Sequence, residues 1–180
     1  MKIKNITIAE YIALDDSTEY DFALRYAEEA QAKDVMHFGD MTTKPFGLVK
    51  DYQYIFSKPN SLSKFVTKYG AKKLQGLSVF KFFAFFRYMV EQVERINKIE
   101  NSLLSHYPSE DELAAGMDRF GKYSPILQVD SLAGGDILKY EKIRQLTYSD
   151  CLTKLALDKE RNDYQKDYQS IMSRKNKNHG

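Results

Sequence analysis

The sequence predicts a mainly α protein, a compact helical bundle around a long central aromatic-rich helix, with a protruding C-terminal helix. Three observations lead to this fold class. Apolar residues recur at intervals of three and four along much of the chain, which is the spacing of one helix face. Several segments begin with the residue pattern of a helix cap. Only 9 glycines and 4 prolines occur in 180 residues, too few for a turn-dense β-sandwich or a collagen-like chain.

The first helices are marked by their caps. Thr7 and Glu10 form the pattern of a capping box, in which each side chain satisfies a free backbone amide, so we predict a helix over residues 8–14. A second helix is predicted over 16–32, where apolar residues again lie one turn apart. Residues 38–40, Phe-Gly-Asp, are predicted to form a turn.

Prolines and a glycine bound the next two helices. Pro45 suits the start of a helix that carries apolar residues at helical spacing over 46–56, and Pro59 ends it. Another helix is predicted over 62–69, with Gly70 placed to stop it.

The central helix, predicted over residues 77–105, is the longest apolar segment. Five phenylalanines fall within residues 80–86, so we expect the first half to be enclosed by other helices. The second half is amphipathic and meets solvent on one face. The predicted core consists of Phe82, Phe83, Phe86, Met89, Val90 and Val93. An aromatic docking surface is the alternative.

The remainder of the chain is predicted as helices joined by one loop. One helix is predicted over 110–119, beginning with a Ser109–Glu112 capping box, and a loop over 123–129 follows it. A helix over 136–145 is capped by Asp136, and a long helix from residue 148 onward is capped by Thr147. We expect a single helical domain over residues 1–157.

Residues 158–180, here called the arm, are predicted to form a polar helix with a basic tail. Their apolar residues form one narrow stripe at i, i+4, i+7 and i+8: Tyr164, Tyr168, Ile171 and Met172. We predict that the arm docks on a neighbouring subunit or another partner, through this stripe and the basic residues Arg174, Lys175 and Lys177. A frayed, solvated terminus is the alternative.

The formal charge of +2 is unevenly distributed, with −3 over residues 1–60, +1 over 61–138 and +4 over 139–180. An acidic front and a basic back favour self-association or docking onto an acidic partner. Residues 52–90 carry seven basic side chains and no acidic one. Nucleic-acid binding by this segment and the arm's basic residues is therefore the alternative; the segment's candidate contacts are Lys64, Lys68, Lys72 and Lys73.

Catalytic and metal-binding patterns are missing from the sequence. The three histidines, His37, His106 and His179, lie far apart, and the single cysteine, Cys151, falls on an apolar stripe with Leu155. We therefore expect no catalytic residue, no cofactor and no metal, and a structural role for the thiol.

The segment over 136–161 could also be a helix-turn-helix DNA reader that presents Lys154, Lys159 and Arg161. Asp150 in the first turn of its second helix would repel phosphate. This pattern alone is a weak indication of DNA binding.

A membrane association is not predicted. The most apolar stretch, residues 77–90, has 14 residues and includes Lys81 and Arg87, whereas a bilayer requires about 20 apolar residues. The first residues do not have the pattern of a signal peptide.

Three segments resemble small helical proteins encoded in the morphogenesis modules of tailed phages. They are Gly121-Lys122-Tyr123-Ser124-Pro125 with residues 131–139, Ser-Leu-Ala-Gly-Gly-Asp-Ile-Leu-Lys; residues 143–148, Ile-Arg-Gln-Leu-Thr-Tyr; and residues 6–12, Ile-Thr-Ile-Ala-Glu-Tyr-Ile. The resemblance implies a non-enzymatic virion-assembly protein, as an adaptor in the head–tail connector or tail, or as a tail-assembly chaperone. Its implied partners are other protein subunits, including copies of itself, and its implied location is the virion or the host cytoplasm during assembly.

Overall fold

The structure, a computed structural model, describes residues 6–14, 16, 38–58, 61–69 and 76–177. Its α-helices are α1 (Ile8–Ile12), α2 (Phe46–Phe56), α3 (Ser61–Tyr69), α4 (Val79–Leu104), α5 (Glu110–Ala114), α6 (Ser124–Ala133), α7 (Tyr140–Gln145) and α8 (Tyr148–Lys177). Short 3-10 helices cover Met41–Thr43, Met117–Tyr123 and Ile137–Lys139. These ranges contain no strand, only two isolated bridges. The predicted mainly α class is confirmed.

Beyond Asp16, the predicted helix over 16–32 lies outside the described residues, as do Pro59 and Gly70. The chain divides into two units: Met1–Met41 with Val49–Asn97, and Thr42–Leu48 with Lys98–Gly180. The first residues of α2 and the last residues of α4 thus belong to the second unit. The boundary predicted at residue 157 falls inside α8, within that same unit.

The core of the first unit is a cluster of aromatic rings around Phe65. The Phe65 ring centroid lies 5.8 Å from that of Phe85 and 5.4 Å from that of Phe86. Phe82, Met89 and Val93 are buried as predicted, but Phe83, Phe86 and Val90 are only half-buried. Phe85 of α4, which the prediction omitted, is fully buried. Every side of this stretch of α4 is aromatic, so the sequence pattern does not indicate which phenylalanine points inward.

The entrance to α1 confirms the first capping box. The Thr7 backbone amide donates to Glu10 Oε2 at 2.7 Å, and the Glu10 amide donates to Thr7 Oγ1 at 3.3 Å. The helix ends at Ile12, shorter than predicted. Backbone hydrogen bonds hold this segment against the start of α4: Ile8 N donates to Leu77 O at 3.0 Å, and Val79 N donates to Ile6 O at 2.7 Å.

Tyr148 is the centre of the second unit. Its fully buried ring stacks on Phe46, with centroids 6.0 Å apart, and its hydroxyl donates to Glu100 Oε1 at 2.7 Å. Its backbone amide donates to Lys44 O at 2.9 Å, while Phe46 N donates to Leu146 O at 2.7 Å. Burial, followed by the nearby Glu100 carboxylate, raises the pKa of Tyr148, so its hydroxyl remains a donor throughout the physiological range.

Two predicted boundaries in the second unit are wrong. The helix predicted over 110–119 ends at Ala114, because Gly116 adopts a left-handed φ of 78° and Arg119 donates to the carbonyls of Ala115 and Gly116 instead of continuing the helix. The loop predicted over 123–129 is helical: Tyr123 ends the preceding 3-10 helix, and residues 124–129 are the first part of α6. Proline is tolerated in the first turn of a helix, and Pro125 occupies that turn.

The other predicted caps are confirmed. Ser109 and Glu112 form both hydrogen bonds of a capping box at the start of α5. Asp136 Oδ1 accepts from the Leu138 amide at 3.0 Å, and Thr147 Oγ1 accepts from the Asp150 amide at 3.3 Å at the start of α8. No helix within the described ranges has both the length and the apolar composition needed to cross a membrane.

Candidate protein-interaction surface

The arm presents the predicted apolar stripe to solvent. Beyond Lys159, every described residue of α8 is exposed except the half-buried Asp163; the side chain of Lys177 is not described. Tyr164 is 63% exposed, and its ring stacks on that of Tyr168 with centroids 6.2 Å apart. Ile171 and Met172, the other two members of the stripe, are also exposed. Arg174 and Lys175 lie beside them and are exposed too. An exposed row of large apolar residues on a helix is typical of a surface that another protein covers.

A second group of exposed apolar residues lies on the segment from α5 to the 3-10 helix that precedes α7. Ile137 is 72% exposed and Leu138 is 90% exposed, on the 3-10 helix that follows the paired glycines 134 and 135. Both glycines have a positive φ, of 65° and 76°, so the chain turns sharply there and brings this 3-10 helix to the surface. The remaining exposed members of the group are Leu113, Met117, Phe120, Tyr123 and Leu127. The sequence prediction did not include them as contacts, because it assigned these residues only to short helices or to the segments that join them.

The opposite face of the arm is joined to the rest of the second unit along a groove of about 500 Å³. Glu112 is one of its lining residues. The Glu112 carboxylate accepts from the Ser109 amide at 2.8 Å, contacts His106 Nε2 at 3.0 Å and accepts from Lys166 Nζ at 3.3 Å. Lys166 belongs to α8, so this carboxylate links the arm to α5. Leu104, Met117, Leu127 and Leu155 supply the apolar lining.

Three hydrogen bonds lower the pKa of Glu112 to about 2. The bond from the Ser109 amide has the largest effect, followed by the bonds to His106 and Lys166. The ordinary pKa is 4.5. A carboxylate whose pKa is lower in the folded than in the unfolded state stabilises the fold above the unfolded value, and this contribution is lost as the pH falls through the folded value. We therefore expect Glu112→Gln, which keeps the capping box but removes the charge, to reduce the acid dependence of stability between about pH 4.5 and pH 2.

Urea melts at several pH values check this prediction. Glu110→Gln, on the same helix, is the matched control because Glu110 makes no hydrogen bond or ion pair among the described residues. If Glu112→Gln and Glu110→Gln have the same pH profile as the wild type, the fold does not lower the pKa of Glu112.

Most of the basic residues considered for nucleic-acid binding are paired or lie outside the described ranges. Lys64 is exposed on α3, but Lys68 forms an ion pair with Asp51 at 2.7 Å. Lys72 and Lys73 lie outside the described residues.

The cations of the helix-turn-helix pattern also have carboxylate partners. Lys154 pairs with Asp158, Lys159 pairs with Asp163 at 2.8 Å, and Arg161 lies 3.8 Å from Asp158. Each partner lies on the same helix, one turn away, so the first half of the arm offers phosphate little net positive charge.

The chemistry of the described residues does not indicate an active site. Cys151 is buried, and burial, followed by the Asp150 carboxylate, raises the pKa of its thiol, which is opposite to the shift that activates a nucleophilic cysteine. Within the described ranges, no group of three or more histidine, cysteine or acidic side chains is arranged to hold a metal ion.

A smaller cleft in the first unit, about 370 Å³, is lined by Asp40, Tyr88 and Arg95 among others. Arg95 pairs with Asp40 at 2.5 Å, and the Tyr88 hydroxyl donates to Gly39 O at 3.0 Å. These polar groups bind one another, so they connect residues 38–40 to α4.

No protein-family model matches the chain, and comparisons with curated proteins and with solved structures give no match either.

Proposed function

We propose that this chain is a non-enzymatic virion-assembly protein of a tailed phage, an adaptor in the head–tail connector or the tail. The observation that carries the proposal is the arm: a helix that presents a continuous apolar stripe to solvent while its other face is attached to its own unit. An adaptor that joins several subunits needs such a surface for one neighbour and a separate surface for the next. The exposed apolar residues from α5 to the 3-10 helix before α7 offer the separate surface.

The resemblance of three sequence segments to phage morphogenesis proteins supplies the biological setting. A tail-assembly chaperone would use the same exposed surfaces but would leave before the particle is complete. This alternative differs in when the protein is bound, and not in what its surface recognises.

The test is coexpression with the neck and tail proteins encoded by neighbouring genes, followed by light scattering on the chromatographed complex. We expect the wild type to enter a complex of higher mass, and Tyr164→Ser/Tyr168→Ser to lose it. Gln169→Ser changes an exposed polar residue of the same helix away from the stripe and should keep the complex. An unchanged complex with the double variant would contradict the proposal.

A DNA-shift titration at increasing salt, on the same preparations, addresses the nucleic-acid alternative. Binding through phosphate contacts weakens steeply with salt because counterions are released. We expect no such binding through Lys68, Lys154, Lys159 and Arg161, because these side chains are paired with carboxylates.

A further inference from the structure

With Leu157 included, residues of the arm follow the spacing of a coiled-coil seam, in which four of six positions are apolar. Leu157 is 44% exposed and lies seven residues before Tyr164. From this leucine onward, seam positions follow at alternating intervals of four and three, the repeat of a helix that packs against another helix. The seam positions are Leu157, Arg161, Tyr164, Tyr168, Ile171 and Lys175.

This seam is on the side of α8 that faces away from its own unit. The α8 residues that line the groove include Leu155, Lys159, Asn162 and Lys166. At about 100° per residue, these side chains lie roughly 180° around the helix from the middle of the seam. A second helix can therefore pack on the seam without displacing the groove.

The charges on the arm favour a second copy of the same helix in antiparallel orientation. Residues 158–163 carry three acidic and two basic side chains, whereas residues 166–177 carry one acidic and four basic ones. A parallel pair would place Arg161 against Arg161 and Lys175 against Lys175. An antiparallel pair places these two cations against Ile171 and Leu157 of the second copy.

The residues flanking the seam add to this preference. We consider the antiparallel register centred near residue 166. In the seam, Tyr164 faces Tyr168 of the second copy. Beside the seam, Glu160 faces Arg174 of the second copy, and symmetry repeats this pair once. The one unfavourable flanking contact is Asp167 against its own copy at the centre. Opposite charges flanking a coiled-coil seam determine the choice and orientation of the partner helix.

We propose that the arm pairs with the arm of a second copy of this chain as an antiparallel two-helix seam. This inference rests on the proposed function: it assumes that the stripe binds a partner during assembly, and it identifies that partner as a second copy of the chain. The seam includes only about two and a half heptads, so we expect a weak dimer that forms at high protein concentration.

Disulfide mixing tests the orientation. Tyr164→Cys and Tyr168→Cys are made separately in a Cys151→Ala background, one chain is isotope-labelled, and the pair is mixed under mild oxidation. We expect the mixed 164–168 disulfide to dominate, because an antiparallel seam brings these two positions within bonding distance. Gln169→Cys, away from the seam, is the control and should remain reduced. Dominant 164–164 and 168–168 disulfides would overturn the antiparallel arrangement.

Sedimentation over a range of concentrations tests the dimer itself. We expect Glu160→Arg to weaken self-association about tenfold and the exchange Glu160→Arg/Arg174→Glu to restore it. A chain that stays monomeric at every concentration overturns the inference. If Tyr164→Ser/Tyr168→Ser still abolishes the complex with neck and tail proteins, the proposed function survives, and a different protein covers the stripe.

Discussion

Replacement of Phe85 with alanine is expected to destabilise the first unit by about 3–5 kcal/mol, the usual cost of deleting a fully buried aromatic ring. Phe85 is completely buried, and its ring lies 5.8 Å from the ring of Phe65 and 6.2 Å from that of Phe38. The free energy of unfolding falls for two reasons: the apolar contacts of the ring are removed, and the surrounding rings fill the resulting cavity only in part. Urea melts followed by far-ultraviolet circular dichroism measure it.

Phe86→Ala is the matched control, because this ring is the next residue of α4 and is half-buried. We expect a smaller loss, about 1–2 kcal/mol. If the two substitutions lower the free energy of unfolding equally, or if Phe86→Ala lowers it more, α4 is rotated relative to the arrangement described above.

Replacement of Tyr148 with alanine is expected to destabilise the second unit by at least about 3–5 kcal/mol. The substitution removes the ring stacked on Phe46 and also leaves the Glu100 carboxylate without its hydroxyl donor. Tyr148→Phe keeps the ring and removes only the hydroxyl, so it should lose about 1–2 kcal/mol. Equal losses would mean that the hydrogen bond to Glu100 outweighs the packing of the ring, contrary to the arrangement seen here.

Helix starts could be predicted from the sequence because caps are local. The hydrogen bonds between Thr7 and Glu10, and between Ser109 and Glu112, join residues three apart, so the residue pattern contains both partners. Helix ends were harder to predict. The left-handed conformation of Gly116 ends α5 five residues before the predicted position, and the sequence alone does not distinguish this glycine from Gly121.

The orientation of α4 and the role of Gly47 depend on contacts between elements. Gly47 lies in the first turn of α2. A Cβ at this position would come within 2.8 Å of the Arg144 side chain, so glycine allows α7 to approach. Such a requirement becomes visible only when the two segments are seen together.

The candidate site was predicted in part. The spacing of Tyr164, Tyr168, Ile171 and Met172 is local and indicated the stripe, and all four residues are exposed. The link between Glu112 and Lys166 joins residues 54 apart, and no short pattern predicts it.

Mass spectrometry of phage particles and of assembly intermediates, purified from cells that carry the gene for this chain, tests the virion-assembly proposal most directly. We predict that the wild-type chain is present in the neck or tail in a fixed number of copies per particle. The Tyr164→Ser/Tyr168→Ser variant should be lost from the particles, while Gln169→Ser is retained. Presence in intermediates but not in finished particles would select the chaperone alternative. Absence from both, with particles of normal yield when the gene is deleted, would contradict the proposed function.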